Sequence, residues 1–193
     1  MGTFLEAQTA VATLTRRGAD KADFIKQKIN STVRFISATG RYPADLSEVT
    51  YTGAAIVAAN LRQSLILPER TRVVAYVQDP ARNERINVEE VGYILDRPLA
   101  LDVAYQAGNV LQVRIAEAPT TLNVGVYRYP AMLVADNDIN WILADLFDLV
   151  TDYTAAHVLT LLGEKELVSS ITQFAGSQLQ VYVQDRINAL YGR

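Results

Sequence analysis

The stretch YRYPAMLVADNDINWILADLFDLVTDYTAAHVLTLLG, residues 127–163, decides how the rest of the chain is read. It begins as the end of a β-strand, turns at Pro130 and continues as a long helix. Asp136, Asn137 and Asp138 offer side-chain oxygens to the first amides of that helix, which have no partner within it, and Gly163 suits the left-handed residue that closes one. Ile139, Ile142, Leu143, Leu146, Val150, Tyr153, His157 and Leu161 recur at three- and four-residue steps, which predicts one buried face.

Beyond Gly163 a second helical stripe runs through Leu167, Ile171, Phe174, Leu179, Tyr182, Val183, Ile187 and Leu190, with Glu164 and Glu166 at its positive start. Glu164-Lys165-Glu166 interrupts the apolar pattern, so we expect two helices folded back as a hairpin rather than one bent helix. On the N-terminal side, residues from about 50 to 134 gather β-branched and aromatic residues into short runs separated by turn formers. Strands are expected near 51–58, 62–67, 72–78, 102–106, 109–116 and 121–129. The Gln106-Ala107-Gly108-Asn109 turn and the Ala118-Pro119 break suggest adjacent antiparallel hairpins. The run Val110–Ile115 alternates, with Val113 and Ile115 toward a core and Gln112 and Arg114 toward water. Before this region two helices are expected: one with Phe4, Ala7, Val11 and Leu14 on its face, stopped by Arg16, Arg17 and Gly18, and one with Ile25, Ile29, Val33 and Ile36. Lys26, Lys28 and Arg34 face away from the second stripe and read as a solvated surface. The fold expected is α+β: a helical bundle from the N- and C-terminal helices, residues 1–49 and 135–193, carrying a central β-rich insertion of antiparallel hairpins, residues 50–134.

Composition narrows function. The chain of 193 residues can bury roughly 70% of its unfolded surface. Half of the residues are hydrophobic and 20% charged, which fits a folded protein. With no cysteine and one histidine, disulfides and thiolate metal sites are excluded and zinc has few ligands. Eighteen Lys and Arg against 21 Asp and Glu give a net charge of −3, a poor footprint for gripping a nucleic-acid backbone. No stretch is long and apolar enough for a membrane span, and the start lacks a basic leader followed by an apolar run, so a soluble, non-secreted protein is expected.

Reactive motifs are missing as well. No Walker loop, dinucleotide-type glycine run, H-E-x-x-H pair or nucleophile elbow is present. His157 falls on the apolar face beside Tyr153 and Leu161 and reads as a hydrogen-bonded core histidine. Asp145, Asp148 and Asp152 lie at three- and four-residue steps and are expected to project together from one helix. Such a stripe could hold Mg²⁺ or do acid–base work, although metal ligands are usually drawn from several elements; a solvated helix face is the plainer reading. Asp79-Pro-Ala-Arg-Asn-Glu-Arg85 is the most polar loop. Its Asp79, Arg82, Glu84 and Arg85 are candidates for an inter-subunit or partner contact, against the ordinary reading of a solvated tip. Residues 88–93 after it read as a helical turn.

Several of these features together resemble the head-to-tail adaptor (head completion, or neck connector) proteins of tailed bacteriophages. The tyrosine-rich strand end turning at Pro130, the acidic loop, Asn140-Trp141, and the helix carrying Asp148-Leu-Val-x-x-Tyr153 bear the likeness. An N-terminal helix running into Tyr42-Pro43 and a middle with a Leu67-Pro68 turn extend it. The resemblance implies a structural virion protein with neither catalytic activity nor a cofactor, assembled in the host cytoplasm into the virion neck. It implies a homo-oligomeric ring, a dodecamer, that binds the portal protein, receives a tail or neck protein, surrounds the DNA channel with only transient, non-specific proximity to genomic DNA, and touches no membrane. Asp145, Asp148 and Asp152 would then line the channel, where acidic charge repels DNA and keeps it sliding. Arg186, Ile187, Leu190, Tyr191 and Arg193, an apolar anchor rimmed by charge, would contact the portal. A tail-terminator or tail-tube protein is the alternative, and a carboxylate-dependent hydrolase a more distant one.

Overall fold

The computed structural model describes residues 2–53, 62–92, 101–115 and 119–191. The chain divides into two compact units, Met1–Ala44 with Pro130–Arg193, and Asp45–Tyr129.

The first unit is helical. Helix α1 spans Phe4–Thr15, α2 Ala22–Ala38, α3 Trp141–Asp145, α4 Phe147–Leu161 and α5 Lys165–Tyr191. Thr3 starts α1 with a capping box: its hydroxyl accepts from the Glu6 amide (3.2 Å) and the Glu6 carboxylate accepts from the Thr3 amide (2.7 Å). The helix ends at Thr15, after which Arg16 takes a left-handed conformation (φ 52°) and the Arg16 and Arg17 amides return to the Thr13 and Ala12 carbonyls. Gly18 was expected in that role. Phe4, Ala7 and Val11 are buried as their spacing predicts, but Leu14 is exposed and Thr15 turns inward. The α2 stripe Ile25, Ile29, Val33, Ile36 is buried throughout. Gly163 closes α4 with φ 82°, while the Gly163 and Glu164 amides donate to the Thr160 and Leu159 carbonyls. The chain then folds back, and α5 packs on α4.

Residues 130–140 are fastened rather than loose. The Asn30 side chain donates to the Leu133 carbonyl (2.9 Å) and accepts from the Leu133 amide (2.8 Å). Asp138 accepts from the Val134 and Ala135 amides, and the carbonyls of Asp138 and Asp136 receive the amides of Phe4 and Leu5 at the start of α1. The expected cap moves accordingly: Asn140, not Asp136, Asn137 or Asp138, accepts from the Leu143 amide (2.9 Å). Nor is the long helix continuous. It breaks at Leu146 (φ −127°, ψ 35°), and the break rotates the buried face of α4 onto Leu149, Val150, Thr154, Ala155, Val158 and Leu159. Ile139 and Leu161, expected inside, are exposed. His157 is likewise at the surface rather than in the core, and partial burial together with the neighbouring Lys28 charge holds its pKa below the ordinary imidazole value.

The second unit overturns the expectation of a helical bundle carrying an insertion of antiparallel hairpins. Its strands β1 (Leu46–Thr52), β2 (Arg62–Ile66), β3 (Thr71–Asp79), β4 (Glu84–Val88), β5 (Val103–Ala107), β6 (Val110–Arg114) and β7 (Thr121–Arg128) form one mixed seven-stranded sheet. The order is β1-β7-β3-β4-β5-β6-β2, with β4 and β5 parallel. Hairpins join only β3 to β4 and β5 to β6, the second through Gly108 (φ 62°). Elsewhere partners are distant in sequence, as in Leu46↔Tyr127 and Arg62↔Arg114. The physical reason is burial. Leu122, Val124 and Val126 of β7 point into the core and need a strand on each side, and the strands able to flank them lie far upstream. Strand β4 escaped the sequence reading because Ile86 is its one buried residue. The expected strand at 51–58 is β1, shifted to 46–52; residues 54–61 lie outside the described residues. Arg114 was expected to be wet and is 8% exposed, its guanidinium over the Tyr105 ring. The Tyr51 hydroxyl donates to the Ile66 carbonyl (2.7 Å) and so ties β1 to β2, the two outermost strands of a strongly curved sheet.

Leu122 is wholly buried and Ile66 mostly exposed. Leu122→Ala is expected to lower stability by about 2–5 kcal/mol, and Ile66→Ala by less than about 0.5 kcal/mol, in urea denaturation followed by circular dichroism.

Candidate functional site

The acidic residues expected to share one stripe are separated by the break at Leu146. Asp145 ends α3, whereas Asp148 lies in the first turn of α4 and Asp152 one turn further on. Asp145 and Asp148 line a groove of about 630 Å³ whose opposite wall is α5, with Ser177, Gln178, Tyr182 and a third carboxylate, Asp185. Asp152 does not line this groove. It is half-buried, and burial, followed by the Asp148 charge one turn away, raises its pKa above the ordinary carboxylate range. Among the described residues no three His, Cys, Asp or Glu side chains are placed to hold a metal ion together. The groove is thus acidic and open, and it includes a residue of α5 that the sequence reading did not connect with the trio.

The polar hairpin tip resolves into turn chemistry. Asp79, at the end of β3, is 3% exposed; its carboxylate accepts from the Ala81 (3.0 Å) and Arg82 (3.4 Å) amides and lies 3.7 Å from the Arg82 Nε. Asn83 takes the left-handed position (φ 53°) that completes the turn. Glu84 and Arg85 belong to β4, opposite Asp79 and Gln78, and the Arg85 guanidinium lies over the Tyr76 ring. Asp79 therefore builds the tip. Arg186, Ile187, Leu190 and Tyr191 lie on the last turns of α5, but their side chains, and Arg193 altogether, are outside the described residues.

Two features were missed in the sequence. One is an aromatic cluster in the helical unit: Tyr42 is buried with its ring 5.1 Å from Trp141 and 6.0 Å from Tyr182, and its hydroxyl lies 2.8 Å from the Thr39 Oγ1. The other is the outer side of α1. Leu5 and Thr9 form a ridge between two shallow grooves, one floored by Gly2, Ala10, Ala144 and Phe147 (about 640 Å³), the other reaching Arg16, Arg17, Ala22 and Ile25 (about 420 Å³). Small residues at Gly2, Ala10 and Ala12 are the signal that could have revealed it, had the buried stripe not explained the helix already.

The raised pKa of Asp152 gives a signed prediction. For a carboxyl whose folded pKa exceeds its unfolded value, the stabilising contribution is complete below the unfolded value and is lost as pH rises through the folded one. Ionised Asp152 therefore opposes folding at neutral pH. Asp152→Asn is expected to raise the melting temperature at pH 7 and to leave it unchanged at pH 3, where the native carboxyl is also neutral; thermal scans at the two pH values check this. No protein-family model matches the chain, and no curated protein is detectably similar to it in sequence.

Proposed function

We propose that this protein is a structural component of a tailed-phage virion, a head-to-tail adaptor that works as a ring between the portal and the tail or next neck component. The observation that carries the reading is the apolar side chains left at the surface of the helical unit on separate elements. Leu5 of α1 is 49% exposed, Phe174 and Val181 of α5 are 56% and 60% exposed, and Met132 and Val134 before α3 are more exposed still, although the unit already has a closed core. Apolar side chains exposed on several elements of one unit are surface that neighbouring copies can cover, and a surface that fits a different surface of the next copy builds rings. The helical unit also offers an acidic groove at Asp145 and Asp148, suited to a surface that DNA passes without adhering. No described helix is long and apolar enough to cross a membrane, which is compatible with assembly away from one.

The seven-stranded sheet favours a second reading, since tail-terminator and tail-tube proteins are dominated by β-structure. The test is direct. Native mass spectrometry and negative-stain averaging of the purified protein, alone and with portal, are expected to show a closed ring of about twelve copies that binds portal; removal of residues 186–193 should leave the fold intact and abolish capture by portal. A protein that stays monomeric under both conditions would end the adaptor reading, and a ring that binds tail tubes but never portal would favour the second.

A further inference from the structure

The two edges of the seven-stranded sheet face each other. Strands β1 and β2 end the order β1-β7-β3-β4-β5-β6-β2, and the Tyr51 hydroxyl of β1 donates to the Ile66 carbonyl of β2 (2.7 Å) at a solvent-exposed point. The phase of the pairing between β2 and β6 decides which backbone groups look into the gap. The Leu67 amide donates to the Asn109 carbonyl, and these two residues continue the register Ile66↔Val110, Leu65↔Leu111, Ser64↔Gln112. In an antiparallel pair, residues that exchange hydrogen bonds alternate with residues that do not. Leu67, Leu65 and Gln63 therefore turn their amides and carbonyls to β6, while Ile66 and Ser64 turn theirs to the open edge. Of these outward groups only the Ile66 carbonyl has a partner among the described residues, the Tyr51 hydroxyl.

An open edge is a template for another strand, and proteins commonly block it with charge, proline or a bulge. Ser64 and Ile66 supply neither charge nor proline, and the register between β2 and β6 runs without a bulge. Ile66 is 74% exposed, on the face it shares with Ser64. The Ser64 hydroxyl is already spent on the Gln112 Oε1 across the strand (2.9 Å), so what Ser64 offers at the edge is its backbone. The opening is also narrow. A tyrosine side chain and one hydrogen bond span at most about two inter-strand spacings of about 4.8 Å, which admits one extended chain and excludes a helix about 10–12 Å across.

We infer that β2 is a docking edge for an extended segment of another protein, which pairs with Ser64 and Ile66 as an eighth strand and takes the Ile66 carbonyl from the Tyr51 hydroxyl. The occupant is a different protein rather than a second copy of this chain. A strand already built into another copy's sheet brings its neighbours with it and does not fit a gap one chain wide. The extended stretch 131–135 is no substitute, since the amides of Leu133, Val134 and Ala135 are spent on Asn30 and Asp138. Recognition lies in the backbone ladder, so the segment needs unblocked amides, no proline, and an apolar side chain where it passes Ile66. Tyr51 holds the place of the incoming amide until the segment arrives. The inference concerns the β unit alone and does not rest on the ring proposed above.

The probe is a synthetic peptide of alternating threonine and valine with a lysine at each end, added in millimolar excess to the full-length protein. Amide exchange followed by NMR is expected to slow about tenfold at Ser64 and Ile66 and to stay unchanged along α2, whereas the same peptide N-methylated throughout its backbone gives no protection. Ser64→Pro removes an outward amide and leaves the bonds to β6 in place, and it should weaken binding about tenfold, the effect of one hydrogen bond. Ser64→Ala, which loses only the hydroxyl, should bind as the parent does. Tyr51→Phe empties the Ile66 carbonyl and should strengthen binding about threefold. If Ser64→Pro does not fold, the comparison of the two peptides decides the matter alone. Absence of protection by the unmethylated peptide would overturn the inference, since every extended peptide carries the ladder it needs. Equal protection by the methylated peptide would show side-chain adhesion, and protection that rises with protein concentration when no peptide is present would show a second copy on the edge; either result overturns it as well, and none of them bears on whether the protein forms a ring.

Discussion

The β unit depends on the pairing of its first strand with its last. Strand β1 lies antiparallel to β7 over seven residue pairs, from Leu46↔Tyr127 to Thr52↔Thr121, so the unit begins and ends on neighbouring strands. Closing so long a segment costs chain entropy that grows only slowly with length, and the burial of Leu122, Val124 and Val126 between β1 and β3 offsets it. On the opposite face of β7 the partner of Glu48 is Gly125, and the Tyr76 ring lies across that glycine while its hydroxyl donates to the Glu48 carboxylate. A side chain at 125 would collide with the ring, so the glycine lets three strands be bridged at one level.

In the helical unit the organising role falls to the segment before α3. Asn30 holds Leu133 by both of its amide atoms, the carbonyls of Asp136 and Asp138 receive the first amides of α1, and Asn140 starts α3. One short segment thus fixes α1, α2 and α3. Helix α1 is left with Phe4, Ala7 and Val11 inside, while Leu5 and Thr9 stand outside between the two shallow grooves.

Much of the helical unit was legible in the sequence because its signals are local. The α2 stripe is regular at helical spacing, Gly163 is the residue type a left-handed closure needs, and Glu164-Lys165-Glu166 breaks the apolar stripe where the chain reverses. Local signals also explain the errors. Three polar residues before α3 looked like caps, yet Asp138 spends its carboxylate on amides behind it and Asn140 caps instead. An unbroken apolar stripe at three- and four-residue steps hid the interruption at Leu146, since nothing in Asp145-Leu146-Phe147 departs from helical spacing. That interruption put Asp145 on a different helix from Asp148 and Asp152, and His157 lies at the surface. The sheet was the least legible part, because pairings such as β1 with β7 and β2 with β6 are decided by which faces can be buried together across the whole unit. Strand β4, with a single buried residue, carries no alternating pattern to find.

The helical unit is built from two chain segments separated by the β unit, and this orders events during synthesis. Helix α2 is complete at Ala38, but α4, against which it packs, begins only at Phe147. At translation rates of about 5–20 residues per second the delay is on the order of ten seconds. Throughout that interval Ile25, Ile29, Val33 and Ile36 have only α1 to pack against, while the β unit receives all of its strands and can close. The discontinuity therefore makes the sheet the early product of the nascent chain and the helical unit the late one, with α2 as the segment that most needs shielding until the ribosome has delivered α4.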